Sequence, residues 1–559
     1  MKKKVLICCN VYPPNFIGGA ELIAHYQAKT LQQRGHHVAV FAGDLQSKGE
    51  RHSLKCEEYD GLLVYRVCLH LIDHQAEFMN FFHQRIEQHF ETLLNEFSPD
   101  VVHIHNVIGL SVGLIRVARR KNIKVVLTLH DHWGFCHKNT LLKLGTEICG
   151  DYRKCAECLP FVKDEDGNQV PIRLRRDFLA VALRSVDVFI SPSRYLADAY
   201  IRAGFPSERF KVIAYGIDVR RFEKIAKVQD REHIRFSLVS YMGSHKGVPT
   251  LLEALPLLSR KRKVKINFVG EGAERPSYEM RARELGWEKS VRFWGHVDNT
   301  SIEQVYQETD VLVLPSVWPE NQPVSITEAM ASRIPVIASR LGGIPELIED
   351  GKTGYLFAAG NAHDLAQKMS IFIEDPSQVD TCGENAFRDI ASNTLERQVG
   401  KIVGVYDEDL RREDTASGGE DSVIACVGTC IDPDCARALN SWEDREGWKI
   451  VRAEWLDEDS LHNAKLLWVV DKEARVTEVK MGLKSQLPLL VPEANVPLTD
   501  LCRYGQCGLY YRDAFEARIC IEYLLRNEAI RKAMGQNGQR SFYSNSPVPK
   551  SISSHWSQR

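Results

Sequence analysis

The sequence predicts an α/β fold made of Rossmann-like, doubly wound domains. Short apolar runs, such as Val311-Leu312-Val313-Leu314, alternate with amphipathic stretches, which is the pattern of parallel strands connected by helices. A chain of 559 residues is too long for one hydrophobic core and indicates about three domains. After that strand, Pro323 marks the start of a helix predicted over residues 324–332. A helix N-terminus at the carboxyl edge of a parallel sheet is where such folds bind phosphate groups.

Composition narrows the class of protein and its partners. Hydrophobic residues make up 44% of the chain and charged residues 26%, as in soluble globular proteins. The net charge of −2 gives no support for a nucleic-acid partner. The apolar run after Met1 is too short for a signal peptide, and no stretch approaches the ~20 apolar residues of a membrane helix. The fifteen cysteines are scattered and odd in number, so we expect a reducing, cytoplasmic location.

The first domain is predicted over residues 1–190. Gly18 and Gly19 separate the first strand, residues 4–9, from a helix over residues 20–34. Paired glycines permit the backbone to approach a phosphate closely, although a plain turn is an equal alternative. His130 follows the strand over residues 125–129 and is expected at the carboxyl edge of the sheet, facing the ligand crevice. A structural histidine is the alternative there.

A cysteine-rich loop, residues 130–160, is predicted within this domain. Its four cysteines have the spacing C-x12-C-x5-C-x2-C, and the last pair has the spacing that brings two thiolates to one tetrahedral ion. The spacing fits a structural zinc site, with an Fe–S cluster or four reduced cysteines as alternatives. The candidate ligands are Cys136, Cys149, Cys155 and Cys158.

The second domain is predicted over residues 191–395, and it carries two carboxylates beside the helix N-terminus. Glu320 lies before the helix and Glu328 lies within it, eight positions later. The backbone N–H groups of Val324 and Ser325 are available to a diphosphate there. Lys246 precedes another predicted helix and is a charge partner for the same diphosphate, unless it is a solvated surface lysine. A helix over residues 396–410 is expected to cross back to the first domain.

The remainder of the chain predicts a linker, a further domain and a tail. Residues 411–422 are polar and contain glycine and serine, which is typical of a linker. Residues 423–544 predict an α/β domain that partly repeats the second domain, without the paired carboxylates or a Lys-Gly loop. We therefore expect a degenerate sugar-nucleotide half-domain with a scaffold or docking role. Residues 545–559 are polar and are expected to be disordered.

Taken together, the motifs resemble glycosyltransferase family 4 over residues 4 to about 405. The resemblance implies a GT-B fold, in which two Rossmann-like domains face each other across a cleft. It also implies retaining transfer of a sugar from a nucleotide-diphosphate donor. The residues that carry it are Gly18-Gly19-Ala20-Glu21, Leu129-His130-Asp131, Tyr215-Gly216-Ile217-Asp218, Lys246-Gly247, and Pro319-Glu320 through Glu328-Ala329-Met330.

The resemblance also implies roles for individual residues. Glu320 would hold hydroxyls of the donor sugar, His130 would contact that sugar, and Glu328 would accept from the ribose. The leaving diphosphate would be neutralised, without any required metal ion, by Lys246, the Gly18-Gly19 loop, and the amides of Val324 and Ser325. Asn321 would also bind the donor. The family often has an arginine five residues before the lysine, where this chain has Tyr241.

The predicted partners are a nucleotide sugar and a glycan or lipid-linked acceptor in surface polysaccharide synthesis. Basic clusters at residues 116–121 and 173–176 suggest peripheral contact with the inner face of the membrane, with solvated helix faces as the alternative. A non-catalytic sugar-nucleotide-binding or scaffold protein is the second hypothesis, motivated by the degenerate repeat and the missing arginine. A starch or glycogen synthase-like polymerase is a third.

Overall fold

The described residues form three predominantly parallel sheets flanked by helices, and one two-stranded ribbon. The computed structural model describes the following residues: 2–15, 18–71, 73, 83–143, 147–150, 161–163, 169–171, 179–228, 230, 232–408, 423–428, 449–453, 461, 463–471, 473–511, 513–526 and 528–543. The predicted linker, residues 411–422, and the predicted disordered tail, residues 545–559, lie outside them.

The first sheet has eight strands, and most of its strands are buried on both faces, which explains their continuous apolar runs. Only Leu54–Tyr59 pairs antiparallel, with Leu62–Cys68. Flanking helices include Gly19–Gln33, Gln84–Phe97, Gly113–Arg120 and Arg194–Arg202. In spatial order the strands are Phe210–Val212, Val188–Ser191, Lys124–Thr128, Val101–Ile104, Lys4–Val11, His37–Asp44, Leu62–Cys68 and Leu54–Tyr59. A separate two-stranded ribbon pairs Phe161–Lys163 with Gln169–Pro171.

The first domain extends beyond the predicted limit at residue 190. Phe210–Val212 pairs in parallel with Val188–Ser191, so the sheet continues to residue 212. The second sheet begins at His233. The boundary therefore lies between residues 212 and 233, and the boundary predicted between residues 190 and 191 is wrong.

The second sheet has six parallel strands in the doubly wound 3-2-1-4-5-6 order. Its spatial order is Val291–Gly295, Lys263–Val269, His233–Val239, Val311–Leu314, Val336–Ser339 and Gly354–Phe357. The associated helices are Val219–Phe222, Val248–Ala254, Arg275–Glu284, Glu303–Gln307, Val324–Ala331, Ala362–Glu374 and Ser377–Ile390.

The helix Leu395–Asp407 returns to the first domain, at the place expected for the crossover helix. Val399, Ile402 and Tyr406 on this helix are buried in the apolar cluster that contains Val5 and Ile7 of the first strand. The Tyr406 hydroxyl contacts His103 Nδ1 at 2.7 Å. The chain therefore ties its second domain back onto its first.

The third sheet has five parallel strands in the order 2-1-3-4-5, the other common doubly wound order. These strands are Lys449–Ala453, Val423–Val427, Ala464–Val469, Leu489–Pro492 and Gly508–Tyr511 in spatial order. The helices are Val476–Lys484, Val496–Gly505, Ala514–Arg526 and Glu528–Tyr543. Its core is continuous with that of the first domain, so this domain packs against the first one.

Candidate active site

A cleft of about 430 Å³ lies between the first two domains, and residues from both domains line it. It contains all of the residues predicted for catalysis and donor binding. They come from the carboxyl ends of strands in both sheets, where doubly wound folds bind ligands. These residues are Gly18, Gly19, His130, Lys246, Glu320, Asn321, Val324, Ser325 and Glu328.

The helix Val324–Ala331 directs its N-terminus into this cleft. Pro323 is its N-cap and makes no side-chain capping bond. The first N–H groups of a helix have no intrahelical acceptor, so the amides of Val324 and Ser325 are suited to an anion. A Cβ atom at Gly19 would lie 3.1 Å from Val324 Cγ2, which shows how closely the glycine loop approaches this terminus.

Glu320 is 6% exposed and is held by three donors. Its Oε1 accepts from Lys246 Nζ at 2.7 Å, from Ser316 Oγ at 2.8 Å and from Trp318 Nε1 at 2.9 Å. Within the described residues Glu320 Oε2 makes no hydrogen bond, so this oxygen is the one available to a sugar hydroxyl. Gly247 has a φ of +76°, and a Cβ there would lie 1.7 Å from the Pro315 carbonyl oxygen, so glycine is required after the lysine.

Glu328 is a buried carboxyl group with a perturbed pKa. Burial raises the pKa of Glu328 to about 7, although the Tyr306 hydroxyl donates to its Oε2 at 2.7 Å and acts in the opposite direction. Asn299 lines the cleft beside it and accepts from the Tyr26 hydroxyl of the first domain at 2.7 Å. The predicted ribose site therefore adjoins a polar contact between the two domains.

His130 belongs to a buried chain of hydrogen bonds. Its Nδ1 lies 2.6 Å from the Tyr215 hydroxyl, and its Nε2 lies 3.0 Å from His105 Nδ1. Burial lowers the pKa of His130 to about 3, so the ring is neutral. Because both ring nitrogens have partners, a sugar contact through either nitrogen requires one of these bonds to exchange.

Asn321 offers a further polar group to a ligand. Its Oδ1 accepts from the Ser193 hydroxyl of the first domain. Its Nδ2 is buried and has no hydrogen-bond partner among the described residues, although the residue lines the cleft. An unpaired buried donor costs free energy that an acceptor on a bound ligand would recover.

Tyr241 occupies the position at which the family often has an arginine. It is 56% exposed, lines the cleft and stacks on His245, with ring centroids 6.0 Å apart. Among the described residues that line the cleft, Lys246 is the only lysine or arginine. An anion bound there meets one full positive charge, together with helix and loop amides.

Sequence reasoning missed four residues that support this site. Ser316 and Trp318 flank Glu320 in the chain, so their proximity was visible in the sequence. Tyr215 opens one of the motifs quoted above and Tyr306 lies outside them, but neither was given a role, because the residues they contact lie 85 and 22 positions away. Their roles become apparent only from the packing of the sheets.

The structure describes only two of the four cysteines predicted to bind zinc. Cys136 and Cys149 are half-buried, whereas Cys155 and Cys158 lie outside the described residues, so the zinc site stays a prediction.

The cluster at residues 116–121 is not a free basic surface, because its side chains are ion-paired. The pairs are Arg116 with Glu87 and Asp513, Arg119 with Asp187, Arg120 with Asp513, and Lys121 with Glu91.

Two further observations bear on the predicted membrane contact. The second basic cluster, residues 173–176, lies outside the described part of the chain. In the part that is described, no helix has the length and apolar character needed to cross a bilayer.

Proteins similar to this chain in sequence or in architecture include glycosyltransferases. The chain is 23% identical over 412 residues to an uncharacterized glycosyltransferase of Methanocaldococcus jannaschii, covering 71% of this chain and 95% of that protein. It is 29% identical over 188 residues to an amylovoran biosynthesis glycosyltransferase of Erwinia amylovora, covering 32% and 46% of the two chains. The structure of Anabaena HepE with UDP and glucose superposes with a TM-score of 0.52 at 20% identity, covering 72% and 99%.

Family profiles locate the resemblance on both sides of the cleft. The profile "Glycosyltransferase Family 4" matches residues 17–221, and "Glycosyl transferases group 1" matches residues 220–389. The two adjoining matches run over more than half of the chain and contain every residue of the cleft named above. The chain belongs to glycosyltransferase family 4 and is a glycosyltransferase of the GT-B fold.

Proposed function

We propose that the protein is a retaining glycosyltransferase that moves a hexosyl group from a uridine-diphosphate donor to a glycan or lipid-linked acceptor. This proposal rests on one observation: the same cleft is lined by the Glu320–Lys246 pair, the helix N-terminus at Val324 and the glycine loop. The HepE complex with UDP and glucose, of the same fold, supports the choice of donor.

The departing diphosphate is where negative charge develops, so groups that stabilise it lower the barrier most. Lys246 lies at the cleft with its Nζ 2.7 Å from Glu320 and 4.8 Å from the Trp318 ring centroid. In this proposal Lys246 and the amides of Val324 and Ser325 receive the diphosphate. Glu320 Oε2 holds a sugar hydroxyl, and Glu328 accepts from the ribose. The transfer itself uses no metal ion.

The acceptor belongs to surface polysaccharide synthesis in this proposal, as for the amylovoran enzyme. The same proposal includes a cytoplasmic location and, for a lipid-linked acceptor, peripheral contact with the inner face of the membrane. Flotation of the full chain with anionic vesicles tests that contact. Recovery of the protein only in the dense fractions, away from the vesicles, would contradict membrane contact.

Donor turnover tests the proposal directly. The full chain is incubated with a panel of nucleotide sugars, and release of nucleoside diphosphate is measured with and without candidate acceptors. We expect turnover of a UDP-sugar and a fall of about 10²–10³-fold on Glu320→Gln, because the variant loses a charged contact to sugar and lysine. The matched control is Glu349→Gln, an exposed carboxylate of the same domain paired with Lys352 at 2.6 Å.

The anomeric configuration of the product distinguishes retention from inversion, and an inverted product would contradict the proposed mechanism.

A non-catalytic sugar-nucleotide-binding or scaffold protein is the second candidate, favoured because Lys246 is the only lysine or arginine among the described residues that line the cleft. It predicts that a donor raises the melting temperature but is never turned over, and that Glu320→Gln changes binding alone.

A further inference from the structure

A buried cluster of two histidines and one aspartate lies in the first domain. Its members are His52, Asp73 and His83, and their ligand atoms lie within 4.8 Å of one another. Asp73 Oδ1 is 3.0 Å from His52 Nε2 and 3.7 Å from His83 Nε2. Nitrogen and oxygen ligands at about 2.0–2.1 Å around a tetrahedral zinc ion lie about 3.3 Å apart, close to both distances.

His83 is the residue that points to a missing ligand. It is 7% exposed, and among the described residues its Nε2 has no hydrogen-bond partner. The distance of 3.7 Å to Asp73 is too long for a hydrogen bond, but it leaves room for an ion between the two atoms. A buried imidazole nitrogen without a partner is costly, and coordination would satisfy it.

The surroundings hold the other two candidate ligands in place. The backbone N–H of His70 donates to Asp73 Oδ2 at 2.8 Å, which orients the carboxylate. His89 Nε2 lies 3.1 Å from the carbonyl oxygen of His52, whose φ of +63° places the residue in a tight turn. Outer contacts of this kind orient metal ligands in known sites.

Arg51 would compete with a metal ion for the Asp73 carboxylate. Its Nε lies 3.1 Å from Asp73 Oδ1 and 3.2 Å from Oδ2. Asp73 is fully buried, and the arginine compensates its charge when no ion is bound. A divalent cation at Oδ1 would displace this guanidinium toward Oδ2 or toward solvent, since the Arg51 side chain is 31% exposed.

We propose that His52, Asp73 and His83 form a binding site for a divalent transition metal ion, zinc in the first instance. Two imidazoles and one carboxylate are the protein ligands of some zinc sites in which the fourth position is left to water or a substrate. The site is separate from the four cysteines predicted to bind zinc. It is also separate from the donor cleft, which none of its three residues lines.

The position of the site in the fold indicates its role. Asp73 follows the strand Leu62–Cys68, whose last residue pairs with Asp44 at the carboxyl edge of the first sheet. His83 is the N-cap of the helix Gln84–Phe97, and His52 lies in the turn before Leu54–Tyr59. A bound ion would join His52, Asp73 and His83 to one another, on the same sheet edge that carries Gly18 and His130.

Metal stoichiometry tests the site in the full-length chain. The variant Cys136→Ser/Cys155→Ser first removes the predicted cysteine site, and the chelator-treated protein is then titrated with Co²⁺ and Zn²⁺. We expect one bound equivalent with a tetrahedral Co²⁺ spectrum that lacks thiolate bands. His83→Gln in this background should lose that equivalent, while His363→Gln, at an exposed histidine of the second domain that contacts Gln367 at 3.2 Å, should keep it.

Arg51 distinguishes a metal site from a simple ion network. If Asp73 binds a metal ion, Arg51→Gln should tighten Zn²⁺ binding by about tenfold, because a competing cation is removed. An unchanged or weaker affinity would overturn the proposal, as would a metal content unaffected by His83→Gln. Should His83→Gln fail to fold, hydrogen exchange of the Cys136→Ser/Cys155→Ser chain remains decisive. Zn²⁺ must slow exchange near residues 52, 73 and 83, and no slowing would also overturn it.

Discussion

Glu328 links donor binding to pH. Burial raises the pKa of Glu328 to about 7, so the carboxyl group is partly protonated near neutrality in the free enzyme. In the proposed donor site ribose hydroxyls would donate to the ionised form of Glu328, so a bound nucleotide would lower this pKa and release a proton. We therefore expect affinity for the nucleoside diphosphate to rise as the pH increases from about 6 to about 8.

Calorimetric titration in two buffers of different ionisation enthalpy measures this released proton. The variant Glu328→Gln should bind more weakly and should bind with little pH dependence, because it has no carboxyl group to ionise. If the variant releases the same number of protons as the unmodified protein, the linkage resides in another group.

Tyr215 positions His130 within the cleft. The Tyr215→Phe variant removes the contact to His130 Nδ1 at 2.6 Å and the bond to the Leu129 carbonyl at 3.1 Å. A buried ring nitrogen then loses its partner, which costs about 1–3 kcal/mol of stability. We expect a lower melting temperature and a lower kcat. Tyr278→Phe removes a hydroxyl bonded to Glu274 outside the cleft and should leave kcat unchanged. Equal kcat losses in both variants would contradict the positioning role.

At the scale of the element, the donor site depends on how closely the glycine loop approaches the helix Val324–Ala331. A Cβ at Gly19 would lie 3.1 Å from Val324 Cγ2, so Gly19→Ala requires the Val324 side chain or the glycine loop to shift by a few tenths of an ångström. We expect weaker nucleotide binding, by about tenfold if ~1.4 kcal/mol of contact energy is lost.

Gly404→Ala is the control for that substitution. It lies in the helix Leu395–Asp407, a Cβ there meets no atom within 4 Å, and alanine should stabilise the helix by about 0.5–1 kcal/mol. Isothermal titration with UDP compares both variants. Equal affinities for Gly19→Ala and the unmodified protein would show that the loop does not constrain the cleft.

Helices and strands were predictable from the sequence where prolines or glycines mark their ends. Prolines at positions 323 and 335 bracket the helix predicted over residues 324–332, and the observed helix is Val324–Ala331. The strand Phe210–Val212 has only three residues, two of them half-buried, so its membership of the first sheet depends on pairing with Val188–Ser191. The partners of His130 lie 25 and 85 positions away, and such contacts follow from sheet topology rather than from any local pattern.

At the scale of the whole molecule, the third domain is fastened to the first by a charged contact within an apolar interface. Arg116, on the helix Gly113–Arg120, bonds to Asp513 of the third domain and to Glu87 of its own domain at 2.9 Å. Arg184 lies over the Tyr523 ring at 5.4 Å. Two of the basic residues expected to face a membrane, Arg116 and Arg120, therefore make contacts between domains through Asp513.

The two carboxylate partners of Arg116 differ in burial, and this difference predicts unequal losses of stability. Arg116→Ala leaves Glu87, 5% exposed, without its cation and should cost about 3–5 kcal/mol. Asp513→Ala should cost less, since Arg116 keeps Glu87. Because the residues are in contact, the double variant should resemble Arg116→Ala alone. Denaturant unfolding followed through the fluorescence of the fully buried Trp468 reports the third domain. Equal losses in the two single variants would contradict the larger cost predicted for leaving the buried Glu87 without Arg116.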